Sequence, residues 1–222
     1  MARKLIKNEN YFDNIDSEEK AYLLGFFLAD GCVIDPSQGK KCISVCLQEQ
    51  DEYILEWFLK AITPNGKISR HIKKSTQKTQ CNIKFTAAYM AQQLEDLYGI
   101  RPRKTHDIEY EFPFERIPTE LHHHFIRGYF DGDGWITEYS ADSKGGTLVP
   151  QFGIVSTSLK FILQLKEIIP KFTEPRITVN EGKNMTYYQL IYSCGHERVP
   201  IIRAWLYNNA SFYMTRKKEK FN

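Results

Sequence analysis

Apolar residues recur along this chain in two alternating periods, one near 3.6 and one of 2, and the switches between them mark out its elements. An apolar run from Tyr22 to Ala29 predicts a first helix, with Asp16 as N-cap, Glu19 three residues on in capping-box position, and a stop at Gly31. Two strands are expected next, Cys32 to Asp35 and Lys41 to Gln48, joined by the turn Pro36-Ser37-Gln38-Gly39. The spacing of Ile54, Leu55, Phe58, Leu59 and Ile62 predicts a helix over Asp51 to Ile62. A hairpin of Lys67 to Lys74 and Gln80 to Thr86 follows, then a helix from Ala87 to Tyr98, ended by Gly99.

The same order then returns. It gives a helix from Thr119 to about Phe130, strands Trp135 to Tyr139 and Pro150 to Ser156, and a helix from Leu159 to Ile169. A hairpin of Arg176 to Asn180 and Thr186 to Ser193 comes next, then a final helix from Arg198 to Tyr207, interrupted early by Pro200. A repeat of this length is a duplicated domain and not a solenoid.

Strand alternation separates two kinds of face. Ile43, Val45 and Leu47 share one side of their strand, while Ser44, Cys46 and Gln48 share the other. Cys81, Ile83 and Phe85 likewise oppose Gln80, Asn82 and Lys84, and Lys67, Ser69, His71 and Lys73 oppose Ile68 and Ile72. One face would pack on helices, and the other would present amides, hydroxyls and cations able to read base edges and hold phosphates. Arg176, Thr178, Asn180 and Gln189 are the corresponding candidates in the second half, where Tyr187, Gln189 and Ile191 mix on one side.

Both halves open with the same nonapeptide pattern, Leu23-Leu24-Gly25-Phe26-Phe27-Leu28-Ala29-Asp30-Gly31 and Ile126-Arg127-Gly128-Tyr129-Phe130-Asp131-Gly132-Asp133-Gly134. Gly25 and Ala29, and Gly128 and Gly132, fall four apart, so each pair lies on one helical face. A helical glycine costs about 1 kcal/mol relative to alanine, and close helix–helix contact would supply the reason for keeping it. If the two helices pack together, Asp30 and Asp133 emerge side by side. Adjacent carboxylates repel unless cations sit between them, and hard oxygen ligands with phosphate suit Mg²⁺. That arrangement fits metal-assisted phosphodiester hydrolysis.

The paired nonapeptides closely resemble those of the LAGLIDADG homing endonucleases, in the single-chain form with two motifs, and the resemblance covers essentially the whole chain. It implies an α+β fold of two pseudo-symmetric αββαββα halves forming a saddle with DNA-facing antiparallel sheets. The halves would be residues 1–105 and 119–222, with a linker at 106–118. It further implies that Asp30 and Asp133 bind the metal together with the carbonyls of Ala29 and Gly132. The segment Gly99-Ile100-Arg101-Pro102-Arg103-Lys104-Thr105, leading on to Ile117-Pro118, resembles the family's inter-motif block, which often supplies a lysine to the active site. Its counterpart is Thr215-Arg216-Lys217-Lys218. Lys104 and Lys217 are thus the expected catalytic cations, and Gln48 a weaker candidate for positioning water. The implied activity is Mg²⁺-dependent cleavage of double-stranded DNA at a long, non-palindromic site by a monomer, leaving 5′ phosphates and short 3′ overhangs, with intron or intein mobility as its setting. Leu28 departs from the pattern, since an acid is common there and Asp131 matches it in the second half. That inequality would favour nicking or asymmetric strand rates.

Charge and composition narrow the alternatives. The net charge is only +3, but no acid occurs between Trp57 and Leu94, where Lys60, Lys67, Arg70, Lys73, Lys74, Lys78 and Lys84 all fall. From Asp107 to Glu120 five acids stand against one Arg116. A basic block beside an acidic linker suggests one face aimed at a polyanion. Five cysteines without a C-x-x-C pair point to reduced thiols rather than a zinc ribbon or disulfide framework. No apolar stretch is long enough to span a bilayer, and the N-terminus lacks an apolar signal core, so a non-secreted protein of the cytoplasm or another DNA-containing compartment is expected. Asp131-Gly132-Asp133-Gly134 lacks the first ligand of a calcium loop. Consecutive His122, His123 and His124 diverge on a helix and cannot share a metal. Trp57, Phe58, Trp205 and Phe212 read as core. Two rivals stay open: a non-cleaving binder of the same fold, whether an intron-splicing maturase or a DNA-binding regulator, and a nuclease acting on structured RNA.

Overall fold

A computed structural model describes residues 7–35, 39–140, 148–183 and 185–221. The first half runs α1 (Glu18–Asp30), β1 (Gly31–Ile34), β2 (Cys42–Gln48), α2 (Glu52–Ile62), β3 (Ser69–Lys73), β4 (Lys78–Thr86) and α3 (Ala88–Tyr98). The second half runs α4 (His122–Asp133), β5 (Gly134–Ser140), β6 (Leu148–Ser156), α5 (Leu159–Ile168), β7 (Arg176–Glu181), β8 (Thr186–Ser193) and α6 (Val199–Tyr207), with a short α7 (Thr215–Glu219) after it. The two antiparallel sheets have matching orders, β1-β2-β4-β3 and β5-β6-β8-β7, so the chain forms two pseudo-symmetric αββαββα halves.

The local chemistry explains most boundaries, and it corrects several expectations. Ser17, not Asp16, caps α1, its hydroxyl accepting from the Lys20 amide, while Asp16 instead pairs with the Lys20 ammonium at 3.0 Å. Gly99 closes α3 in the left-handed region, at φ 66°. Residues 119–121 form a 3₁₀ turn, and α4 begins only at His122 but continues through Asp133. Pro200 does not interrupt α6; it occupies the first turn, where its missing N–H would have no helical partner anyway. Helix α7 was not expected. Three residues of the turn expected at 36–39 lie outside the described residues.

One core runs through both halves, from Phe26, Phe27 and Phe58 on one side to Phe130, Phe152 and Tyr192 on the other. Phe58 is buried, while Trp57, Trp205 and Phe212 are half-buried against that core, in line with the core reading of all four. The linker is acidic on its surface, with Glu109 and Glu111 both facing Lys160, but its aromatics are packed inside: Phe112 stacks on Tyr98 at 5.8 Å. Strand β3 corrects the alternation argument, because it lies at a sheet edge and all of it is exposed, Ile72 at 63%. Lys67 precedes the strand and is not part of its face. All five cysteines are free.

Candidate active site

Helices α1 and α4 lie side by side because their small residues leave no room for anything larger. A Cβ on Gly25 would overlap the Phe125 carbonyl, one on Gly128 the Tyr22 carbonyl, and one on Gly132 the Ala29 methyl. The contacts are reciprocal, so both helices end together. A Cβ at Gly132 would stand 3.2 Å from Asp30 Oδ2, which places the Asp30 carboxylate directly beside the end of α4.

Asp30 and Asp133 are both open to solvent on one side. Protein displaces much of their water on the other. That loss, reinforced by the neighbouring Asp133, lifts the Asp30 carboxyl to about 6, and the same desolvation raises Asp133. Lys104 and Lys217 pull both back down, and Arg216 adds to this at Asp30.

The two lysines occupy equivalent places. Lys104 Nζ donates to the carbonyls of Ala29 at 3.1 Å and Gly31 at 2.6 Å. Lys217 Nζ donates to the carbonyl of Gly134, the counterpart of Gly31, and lies over the Phe130 ring. Burial depresses both ammonium groups, and with Arg216 nearby Lys217 falls to about 8. Arg103, at φ 61°, adopts the left-handed backbone that delivers Lys104 to its place. Arg216 is aimed by its Nε–H, which is shared between the two carboxylate oxygens of buried Asp51, both at 3.0 Å.

The remaining expected residues divide. Gly132 packs on Ala29 as described, and the Ala29 carbonyl already accepts from Lys104. Gln48 lies on the outward face of the first sheet, paired with Gln80, but two residues beyond Cys46, which is the residue of that strand that feels the Asp30 charge. Ser44, Cys46, Gln48, Ser69, His71, Lys73, Gln80, Asn82 and Lys84 all share that outward face by register. Arg70 does not, being turned to an ion pair with Glu52. In the second sheet Arg176, Thr178, Asn180 and Gln189 share the outward face. Among the described residues no Asp or Glu lies on either outward face.

Sequence reasoning missed Tyr129 and the role of Asp131. Tyr129, buried beside Asp133, donates to the Val155 carbonyl at 2.9 Å. With Lys104, Asp133, Val155 and Tyr187 it lines a cavity of about 280 Å³ that opens next to the acids. Asp131 faces away from the acid pair and is fully buried. It accepts from Tyr22 Oη at 2.9 Å, Tyr207 Oη at 2.7 Å and the Met214 amide at 2.6 Å. Leu28, its counterpart, is simply buried. The inequality between the halves sets a buried, hydrogen-bonded Asp131 against an apolar Leu28 that lines the same cavity as Asp133. His122 holds the linker, its Nε2 3.0 Å from the carbonyls of both Phe114 and Ile117, whereas His124 contacts Arg127.

Two adjacent, solvent-open carboxylates, both held above their ordinary range by desolvation and Asp30 further by Asp133, fit a divalent cation. Among the described residues no group of three or more His, Cys, Asp or Glu could hold one alone. Carbonyls, water and phosphate would have to complete the shell, as Mg²⁺ prefers.

Residues 120–196 match the LAGLIDADG-like domain. The fold is that of solved LAGLIDADG homing endonucleases. The I-GzeII complex with its DNA target aligns over 90% of this chain and 86% of its own, at 13% identity and a TM-score of 0.58. The meganuclease I-AabMI bound to uncleaved DNA aligns over 90% and 86%, at 14% and 0.55. I-SmaMI bound to cleaved DNA aligns over 93% and 87%, at 12% and 0.56. The chain is also 25% identical over 218 residues to the replication factor C small subunit of Methanocaldococcus jannaschii, a match covering 98% of this chain but spanning only 10% of that protein. Among the described residues no helix is long and apolar enough to cross a membrane.

Proposed function

From a LAGLIDADG-like domain set in the LAGLIDADG homing endonuclease fold, we propose that this chain is a site-specific endonuclease of double-stranded DNA that works as a monomer. Residues 1–105 and 119–222 form its two LAGLIDADG halves and 106–118 the linker. The observation that carries this reading is the pairing of Asp30 with Asp133 between two sheet faces that carry no carboxylate among the described residues. Duplex DNA lies across those faces, where strands offer side chains to the major groove. Its phosphates meet the cations while one scissile bond on each strand approaches the acids.

Asp30 and Asp133, with the carbonyls of Ala29 and Gly132, would hold the divalent ion; the Ala29 oxygen has a second lone pair beyond the one taken by Lys104. Bound there, Mg²⁺ supplies charge neutralisation and Lewis-acid polarisation to the phosphodiester. Lys104 and Lys217 place fixed positive charge where the phosphate becomes more negative in the transition state. Gln48 orients water from the strand side. Hydrolysis leaves a 5′ phosphate and a 3′ hydroxyl.

The test is cleavage of a randomised duplex library and of the source genome by purified protein with Mg²⁺, read by sequencing ends. A single recurring cut, lost in EDTA and in both Asp30→Asn and Asp133→Asn, is expected. Enrichment of one sequence without any cut would transfer the fold to a non-cleaving binder, a maturase or regulator. No enrichment of duplex DNA at all would overturn the reading.

A further inference from the structure

The strand registers allow the two outward faces to be compared position by position. Gly31 pairs with Val45 in the first sheet and Gly134 with Ile154 in the second, so Cys46 corresponds to Val155 and Ser44 to Gly153. Cys46 pairs with Asn82 and Val155 with Gln189, so these amides correspond, and with them Gln80 to Tyr187 and Lys84 to Ile191. On the strand that follows each motif, Cys32 corresponds to Trp135.

At these positions Gln80 and Lys84 of the first face become Tyr187 and Ile191 in the second, and Cys32 and Cys46 become Trp135 and Val155, while the central amide is kept; at the far end of the strands the change reverses, Ile34 to Thr137 and Cys42 to Gln151. Trp135, Val155 and Tyr187 are half-buried, so part of each remains open to a ligand, and Trp135 lies over Gly153. Ile191 is only 5% exposed and shapes the surface from beneath. Val155 and Tyr187 also line the cavity beside Asp133, so the apolar patch reaches that acid. Arg176 is the cation on this face, and no carboxylate opposes a polyanion there among the described residues.

We propose that the two sheets read their half-sites by different chemistry. The first sheet reads through hydrogen bonds and phosphate contacts, and the second selects A·T pairs by apolar contact with thymine methyl groups. In the major groove thymine alone presents a C5-methyl, and its adenine partner presents the N6 and N7 edge that a glutamine amide matches. Gln189, set between Val155 and Thr178, is placed for that edge. The inference rests on the DNA-cleaving reading above.

The experiment uses the full chain and the target recovered from the library. Thymines are replaced by deoxyuridine in one half-site at a time, which removes the methyl and leaves pairing intact. Phosphate-ethylation interference with Lys84→Ala identifies the half-site under the first sheet. Replacement under the second sheet is expected to weaken binding about fourfold per contacted methyl, and replacement under the first sheet less than about twofold. Val155→Ala is expected to reduce the deoxyuridine effect only in the second half-site. Equal sensitivity of both halves, or a second half-site without thymine, overturns the inference while leaving the nuclease reading intact. A library that yields no target overturns both.

Discussion

Asp131 and Lys217 show how differently one buried charge can be used. Asp131 is an acceptor for three donors, and through Met214 it ties the segment that carries Lys217 to the central helix. In Asp131→Asn one acceptor oxygen becomes a donor, which leaves buried donors facing it. A loss of about 2–4 kcal/mol is expected in urea unfolding. Lys217, at about 8, must be protonated to oppose phosphate charge. Cleavage at saturating Mg²⁺ should therefore fall above about pH 8, and Lys217→Arg should extend the plateau beyond about pH 9, because guanidinium keeps its proton. An unchanged alkaline limb in the arginine variant would remove Lys217 from that role. Asp30 makes the opposite demand in the metal-free protein. Its carboxyl binds a proton more tightly folded, at about 6, than unfolded, at 3.8, so its contribution to stability is lost as pH rises through that window. Asp30→Asn should then raise the metal-free Tm at pH 7 but not at pH 4, and added Mg²⁺ should favour the wild type.

At the scale of elements, the crossing of α1 and α4 fixes the site. Gly128→Ala adds helix propensity of about 1 kcal/mol, but its methyl would overlap the Tyr22 carbonyl, part of a backbone that cannot swing aside. Overpacking of this kind costs at least about 1–3 kcal/mol. A lower Tm together with a larger fractional loss of cleavage is expected, since separating the helices separates the acids. This crossing was legible in the sequence, because glycines paired at helical spacing weaken a helix unless a second backbone packs against them. So were β2 and β4, which alternate cleanly between a buried and an open face. β3 was legible only in part: its register sets Ser69, His71 and Lys73 on the outward face as the alternation expects, but its other face, with Ile72, is left exposed rather than packed. The role of Asp131 was not legible, since its partners stand 109, 76 and 83 positions away. Nor was α7, too short to show a period.

Across the whole molecule, the two outward faces differ in charge: the first carries Lys73, Lys78 and Lys84, and the second Arg176. DNA affinity should fall steeply with salt through counterion release. Removing Lys73, Lys78 and Lys84 together should flatten the slope of log K against log salt by roughly 2–3. The equivalent change at Arg176 should flatten it by about 1. A slope unaffected by the triple variant would mean that the phosphates run elsewhere.

The parallel ending of α1 and α4 has a consequence for the order of events. Each helix concentrates roughly half a negative charge at its carboxyl end, and here two such ends and two acids converge on one point. Lys104 and Lys217 offset part of that charge, so before a divalent cation arrives the point attracts a phosphodiester less than the flanking strands do. The molecule should therefore load its metal first and accept the scissile phosphate afterwards, so that DNA bound without metal is held mainly by its arms.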